Sequence, residues 1–349
     1  MNKNDSSNYQ LQGDIERKPT LTQISILFSI AVILFLYVGF RAQRYSMFPG
    51  LLITEFGLIL TPSLALLYMY KYDVRQVLRL NSVGALNLIL VFGIMFFALP
   101  VVGVLNVVNL FIINNVFGRI IVSSIPAANN SMELIRNILI IAGSAALCEE
   151  IMFRGVIQRG LERFGAAKAI LISAFLFGLL HLDFQRFLGT FLLGGLIGFL
   201  VYRSNSIYSG MFAHFCNNGF AVILGYLSTK MQQMMKSSGV GNMEENAEKI
   251  FSNLANMPKE QLISAIVTWG ILFLVCAVFL TGLIIGYIYV TSDRVHKVRR
   301  EPTRFKKAGL LWLAPGLTLV SIMYFAEGLK LSNATSPLAE SVMRFIGLK

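Results

Sequence analysis

The stretch "NILIIAGSAALCEEIMFRG", Asn137 to Gly155, decides how this chain folds. Its first eleven residues are typical of a helix inside a membrane, because apart from Asn137 they contain nothing more polar than a serine. Two glutamates and an arginine then follow in the same apolar segment, at Glu149, Glu150 and Arg154. A charge at mid-bilayer costs about 3 kcal/mol or more, so such residues usually face a cavity and serve a function. The stretch therefore predicts a membrane helix that carries a buried polar site.

Composition indicates that the whole chain is a membrane protein. Of its 349 residues, 55% are hydrophobic and 14% are charged, and the mean hydropathy is +0.66, which excludes a soluble domain of this length. The first 20 residues are polar and mixed in charge, so we expect an uncleaved anchor and no signal peptide. The net charge of +12 lies in short loops between apolar runs, as a positive-inside bias explains. We therefore expect the lipid bilayer, and no nucleic acid, as a partner.

Apolar runs predict nine candidate membrane spans, each of roughly 20 residues. The fifth and sixth are short and are separated only by Gln185 and Arg186, which predicts a tight helical hairpin. The expected fold is an all-α, polytopic helical bundle with about eight to nine transmembrane helices. The predicted spans are Leu21–Phe40, Met47–Tyr70, Leu86–Ile113, Met132–Ile157, Lys168–Phe184, Phe187–Tyr202, Ile207–Leu227, Leu262–Val290 and Gly309–Phe325.

The polar residues divide the chain into three parts. We expect an N-terminal tail with three accessory transmembrane helices over residues 1–131, and a membrane core that carries the site over residues 132–227. A polar loop (228–261) and the last transmembrane helices follow over residues 228–349. The loop "SDRVHKVRREPTRFKK", residues 292–307, carries seven Lys and Arg, which predicts a cytoplasmic position. Alternation of the spans then predicts a multi-pass protein of the cell membrane with a cytoplasmic N-terminus.

Ionisable residues inside the predicted spans are few. Glu55 lies one helical turn past Leu51, where the apolar run could equally begin, so a snorkelling or packing role is expected. Asp183 lies near the outer end of the fifth span and is expected to be solvated. At about 1.5 Å per residue, the remaining groups reach similar depths on three helices, which favours one shared site. They are Glu149, Glu150 and Arg154 in the fourth span, His181 in the fifth and His214 in the seventh.

Helical spacing pairs several of these residues. Glu150 and Arg154 are four residues apart, so they can pair on one helical face. Phe177 and His181 share the same spacing, and so do His214 and Asn218, which form a small polar facet. A purely structural ion pair and a packing role for either histidine are the alternatives to a catalytic function.

A carboxylate, two imidazoles and a carboxamide in a membrane cavity suit the activation of water against a carbonyl. A buried glutamate serves as general base, and a neighbouring imidazole helps to hold the water. The second imidazole and the amide NH2 are donors for a tetrahedral oxyanion, an effect worth about 3–4 kcal/mol per donor in soluble hydrolases. Zinc is an alternative, with Glu149, His181 and His214 as candidate ligands. Neither Cys148 nor Cys216 shares a helical face with its acidic or histidine neighbour, which argues against a cysteine nucleophile.

Three motifs in the order "EEIMFRG", "FGLLH" and "HFCNN" resemble the CAAX-protease and bacteriocin-processing (CPBP) family of intramembrane proteases. The family pattern is Glu-Glu-x-x-x-Arg, Phe-x-x-x-His and His-x-x-x-Asn, and the chain matches all three. The resemblance covers about residues 132–227. The matching residues are Glu149, Glu150 and Arg154, then Phe177 and His181, then His214 and Asn218.

The resemblance implies a helical intramembrane endopeptidase. Its substrates would be membrane-associated, prenylated or peptide chains, as in CAAX processing or in bacteriocin and peptide maturation and immunity. Carried over by position, the first glutamate and the first histidine activate water, and the second histidine and the asparagine form the oxyanion site. These catalytic residues are Glu149, His181, His214 and Asn218, with Glu150, Arg154 and Phe177 in support.

The family's cofactor is described in two ways, as zinc in a metalloprotease or as none in a glutamate-dependent enzyme. Asn218 makes better sense as a donor than as a metal ligand, which favours the metal-free route. No cofactor is therefore assigned, and zinc is kept as the alternative.

Two other functions fit the same sequence. One is a non-catalytic membrane protein of the same fold that binds or sequesters a peptide or a regulator. The other is a proton-coupled transporter, because buried Glu and His also form proton relays. A relay would place ionisable residues across the whole bilayer, whereas here they gather at one depth.

Overall fold

The structure is a computed structural model that describes residues 17–121, 128–238, 257–295 and 308–332, together with Ser341. This part of the chain is all-helical and contains no strand. Its main helices are α1 (Leu21–Tyr45), α2 (Met47–Met69), α3 (Ala85–Phe117), α4 (Ser131–Phe164), α5 (Ala166–Leu180), α6 (Phe187–Ser204), α7 (Ile207–Ser237), α8 (Lys259–Val290) and α9 (Ala314–Leu331).

Six of these helices, α1–α4, α6 and α8, are long and apolar enough to cross a membrane. The all-α membrane fold is thereby confirmed, while the count of eight to nine spans stays a prediction. Helix α5 is a shorter apolar helix of 15 residues. Helix α7 has 31 residues, but His214, Asn217 and Asn218 reduce its hydropathy. Because α7 continues to Ser237, the predicted polar connection over 228–261 begins with helix, and its residues 239–256 lie outside the described part.

Local sequence explains where the helices of the middle region begin and end. Asn130 caps α4, because its side-chain oxygen accepts the backbone N–H of Glu133 at 2.9 Å. Gly165 separates α4 from α5 with φ +99°, a conformation that glycine adopts without strain. Asn205 ends α6 in the left-handed region with φ +52°. Helices α5 and α6 pack against each other as the predicted hairpin.

Two apolar clusters hold the helices together. The larger one joins α1, α2, α4, α5 and α9, with Phe28, Leu36, Met152 and Phe153 fully buried in it. The second joins α3, α6, α7 and α8 around Tyr287, whose hydroxyl donates to a backbone carbonyl of α6. Helix α8 lies at the periphery and exposes most of its apolar side chains, as expected for a helix in contact with lipid.

The N-terminal end of α1 packs closely on the C-terminal end of α4. Arg163 donates to the backbone oxygen of Pro19 at 2.7 Å. Gly160 permits this approach, because a Cβ atom there would lie 2.8 Å from the oxygen of Pro19 and 2.9 Å from a methyl group of Ile24. Beside this contact, the buried Glu162 carboxylate pairs with Arg79 and Arg159, each at 2.6 Å.

We predict that Gly160→Ala destabilises the protein by roughly 1–3 kcal/mol, because the added methyl group forces the α1–α4 contact apart. Gly282→Ala on α8 is the matched control, since a Cβ atom there meets nothing within 4 Å. Alanine is also the better helix former, so this control should lose no stability. Denaturant unfolding of both variants in detergent checks the prediction, and equal stabilities would contradict it.

Candidate active site

A cavity of about 620 Å³ lies between α1, α2, α4, α5, α7 and α9. Glu149, His181 and Asn218 line it, on three different helices or helix ends. Most of the remaining wall is apolar, with side chains such as Phe35, Phe153 and Met323. The structure therefore brings three of the four predicted catalytic residues to one cavity. The fourth, His214, is buried and does not line the cavity. Its ring nitrogens lie 2.8 Å from Glu150 and 3.7 Å from Glu149.

Glu150 is the central acceptor of the polar cluster. Its Oε1 atom accepts a hydrogen bond from the Arg154 guanidinium at 2.7 Å and another from Nδ1 of His214 at 2.8 Å. Arg154 also donates to the backbone oxygen of Gly194 at 2.9 Å, and its guanidinium lies 4.6 Å from the centre of the Phe177 ring. All these polar side chains are almost fully buried. Charge and hydrogen bonding at Oε1 thus offset part of the cost of removing the carboxylate from water, while Oε2 is buried without a hydrogen-bond partner among the described residues.

Two glycines make room for this cluster. A Cβ atom on Gly210 would lie 2.8 Å from Oε2 of Glu150, so a larger residue would push the carboxylate aside. A Cβ atom on Gly194 would lie 2.9 Å from the Phe177 ring, at the carbonyl that Arg154 uses. The site therefore depends on close helix packing as well as on the charged residues.

Glu149 lies one residue before this cluster and points to the cavity. Its Oε2 atom is 3.7 Å from Nε2 of His214, which is longer than a hydrogen bond. The same oxygen is buried and has no hydrogen-bond partner among the described residues. A carboxylate with an unused acceptor at a cavity wall can take a proton from a water molecule held there.

His181 ends α5 and is fixed in one tautomer. Its Nδ1 lies 2.9 Å from the backbone oxygen of Phe177, and because a carbonyl only accepts, Nδ1 must carry the hydrogen. Nε2 is then left as an acceptor at the cavity. The next residue, Leu182, has φ +50°, so the chain turns sharply after the histidine.

Asn218 presents its amide NH2 in a defined direction. The side-chain oxygen of Asn218 accepts from the amide of Asn217 at 3.0 Å, which leaves the NH2 group of Asn218 free to donate. One helical turn earlier on α7, the Nδ1 hydrogen of His214 is held by Glu150. Of the two candidate oxyanion residues on α7, Asn218 therefore has a hydrogen free to donate at the cavity, while the Nδ1 hydrogen of His214 is engaged.

Helix α9 contributes a carboxylate that the sequence did not single out. Glu327 lines the cavity and accepts the backbone N–H of Phe184 at 2.7 Å. It thereby fixes the loop that follows His181. In the same loop Asp183, expected to be solvated, is only partly exposed and pairs with Arg186 at 3.1 Å. Hydrophobic spacing contains no signal for Glu327, because its partner is a backbone group more than 140 residues away.

Glu55 is the second carboxyl whose position the sequence did not predict. It is only 4% exposed, which rules out the expected snorkelling to the interface. It lines the same cavity as Glu149 from α2. Its Oε2 atom is buried and has no hydrogen-bond partner among the described residues.

The candidate zinc ligands do not fit a metal site. Within the described part of the chain, no group of three or more His, Cys, Asp or Glu is placed to hold a metal ion. Nδ1 of His214 is engaged by Glu150, and His214 does not line the cavity with Glu149 and His181. No step below is therefore assigned to a metal.

Comparison with known proteins gives one match. The family model described as "Type II CAAX prenyl endopeptidase Rce1-like" matches residues 131–220, which include every motif residue described above. No curated protein and no solved structure matches the chain.

We predict that Arg154→Met destabilises the protein by roughly 3–5 kcal/mol, because it leaves the buried Glu150 carboxylate without its cation. The double variant Arg154→Met/Glu150→Gln should recover most of that loss, since the uncompensated charge is then gone. Denaturant unfolding in detergent measures both, with the exposed Arg75→Met as control. A double variant that is as unstable as the single variant would contradict this account of the pair.

Proposed function

Residues 131–220 belong to the CPBP family through its Rce1-like model, and we propose from this premise that the protein is an intramembrane endopeptidase. The observation that carries the proposal is that Glu149, His181 and Asn218 line one cavity between membrane helices. Water and a peptide bond can meet there with a base and an amide donor around them.

In the proposed reaction Glu149 takes a proton from a water molecule, and Nε2 of His181 accepts the water's second hydrogen as a hydrogen bond. The water oxygen attacks the peptide carbonyl carbon and forms a tetrahedral intermediate. The amide of Asn218 donates to the oxyanion. The Nδ1 hydrogen of His214 is donated to Glu150 in a hydrogen bond. His214 can therefore donate from Nε2 as well only when both ring nitrogens carry a hydrogen. When the C–N bond breaks, the leaving nitrogen takes a proton from an acidic group of the site and leaves as a neutral amine. The carboxylic acid that forms then gives its proton to the amine, and Glu149 still holds the proton of the water.

The proposed substrate is a membrane-associated or prenylated protein or peptide. An apolar cavity wall suits a lipidated or hydrophobic segment, and the match to a CAAX prenyl endopeptidase model points to the same class. Processing of a bacteriocin-like peptide is the narrower variant of this proposal. From the apolar runs of the sequence we further propose eight to nine transmembrane helices and a place in the cell membrane. The basic loop at residues 292–307 supports a cytoplasmic N-terminus.

We predict that Glu149→Ala abolishes cleavage while the protein still folds and inserts, because the reaction loses its base. The measurement compares the N- and C-termini of membrane proteins in cells that carry the native chain or the variant. Glu260→Ala, a change at an exposed carboxylate on α8, is the control and should keep full activity.

Termini that appear only with the native chain support the proposal and identify the substrate. If the termini are the same in both cells, and the biological effect persists in Glu149→Ala, the protein acts by binding or sequestering its partner.

We predict that Asn218→Ala lowers kcat about 10²–10³-fold, because one oxyanion donor is lost. KM should change little, since the donor acts mainly on the intermediate. Turnover of the substrate identified above measures both constants. Asn115→Ala, at an exposed amide on α3, is the control. An Asn218→Ala enzyme with unchanged kcat would exclude the assigned role.

A further inference from the structure

Glu55 is a buried carboxyl of the cavity that lies outside residues 131–220. The segment Ile53–Leu60 of α2, which holds it, packs directly against the segment Ser144–Glu150 of α4, which holds Glu149. Both side chains line the same cavity. Each has a buried Oε2 atom without a hydrogen-bond partner among the described residues.

A structural role does not account for Glu55. Its Oε2 atom is buried and has no hydrogen-bond partner in the described part of the chain, so burial of this atom is not compensated by the protein. Thr54, its equally buried neighbour, by contrast bonds to the Gly50 carbonyl at 2.8 Å. A buried carboxyl without a partner costs free energy, and such groups are retained mainly where they act on a ligand.

The charges around the cavity limit what Glu55 can do. Asp183 pairs with Arg186, and Glu327 accepts the backbone N–H of Phe184, so these two carboxylates are engaged. Glu149 and Glu55 are the two left with a free oxygen. Two carboxyls that line one cavity can divide the acid and base roles of a hydrolysis between them. The ionisable groups that line the cavity are Glu55, Glu149, His181, Asp183, Arg186, Glu327 and Lys330.

We propose that Glu55 is a catalytic residue of the peptidase, which holds a proton and gives it to the nitrogen of the leaving amine. The inference rests on the proposed function and adds to it the source of that proton. Glu149, one residue before the charged pair, accepts the proton of the water, and Glu55 supplies the other proton from the neighbouring helix α2.

The protons balance over one cycle. Water loses a proton to the Glu149 carboxylate, and its oxygen forms the new bond to the carbonyl carbon. The C–N bond breaks as the nitrogen takes the Glu55 proton, so the amine leaves neutral. The new carboxylic acid then gives its proton to the amine, and the Glu149 proton passes to Glu55. Each group thus returns to its starting state.

Three substitutions at Glu55 test this role. Cleavage of the same substrate is measured for each variant. Glu55→Gln keeps the size of the side chain but has no transferable proton, so kcat should fall about 10²–10⁴-fold with KM within twofold. The kcat of Glu55→Ala should fall as far. Glu55→Asp keeps the carboxyl and should retain more activity than Glu55→Gln. Glu260→Gln is the exposed control, and unfolding in detergent shows whether each variant is folded.

The order of activity among the Glu55 variants decides between a catalytic role, a packing role and a substrate-binding role. A packing role reverses it, because Gln matches the shape of Glu better than Asp does. A substrate-binding role raises KM and leaves kcat unchanged, and either result would overturn the inference. Loss of kcat in Glu55→Gln with partial rescue in Glu55→Asp supports it. Full cleavage by Glu149→Ala would instead overturn the proposed function itself, which separates the two failures.

Discussion

The ion pair between Glu150 and Arg154 is the interaction on which the polar site depends. It lies within one helix and needs no distant element to form, since the two residues are one turn apart. Once formed, it presents Glu150 to His214 and Arg154 to the carbonyl of Gly194, and so connects α4 with α7 and α6. The cost of burying the pair is offset in part by these bonds, and its geometry fixes the neighbouring Glu149.

Arginine suits this position better than lysine because its donors are arranged in a planar fork. One nitrogen reaches Glu150, another reaches the Gly194 carbonyl, and the flat face lies over Phe177. The Phe177 carbonyl in turn fixes the tautomer of His181. A single guanidinium thus orders groups on three helices, which explains why a residue so costly in a membrane is retained at the centre of the fold.

Sequence reasoning predicted the all-helical membrane fold, the hairpin of α5 and α6, and the family of residues 131–220. It worked there because apolar runs, charges within them and spacings of four residues are local signals. It did not predict that Glu55 is buried or that Glu327 holds the loop after His181. Both depend on contacts between helices far apart in sequence, and a lone glutamate near the end of an apolar run looks the same whether it faces solvent or a cavity.

Two parts of the sequence line the cavity. Residues 131–220 provide Glu149, His181 and Asn218, while the other walls come from α1, α2 and α9, outside the region that matches the family model. In the proposed peptidase, the residues assigned to the chemistry therefore come from one part of the chain, and much of the wall that a substrate would meet comes from another. Changes in α1, α2 or α9 can alter which segments enter the cavity while the Glu150–Arg154 pair and its neighbours stay in position.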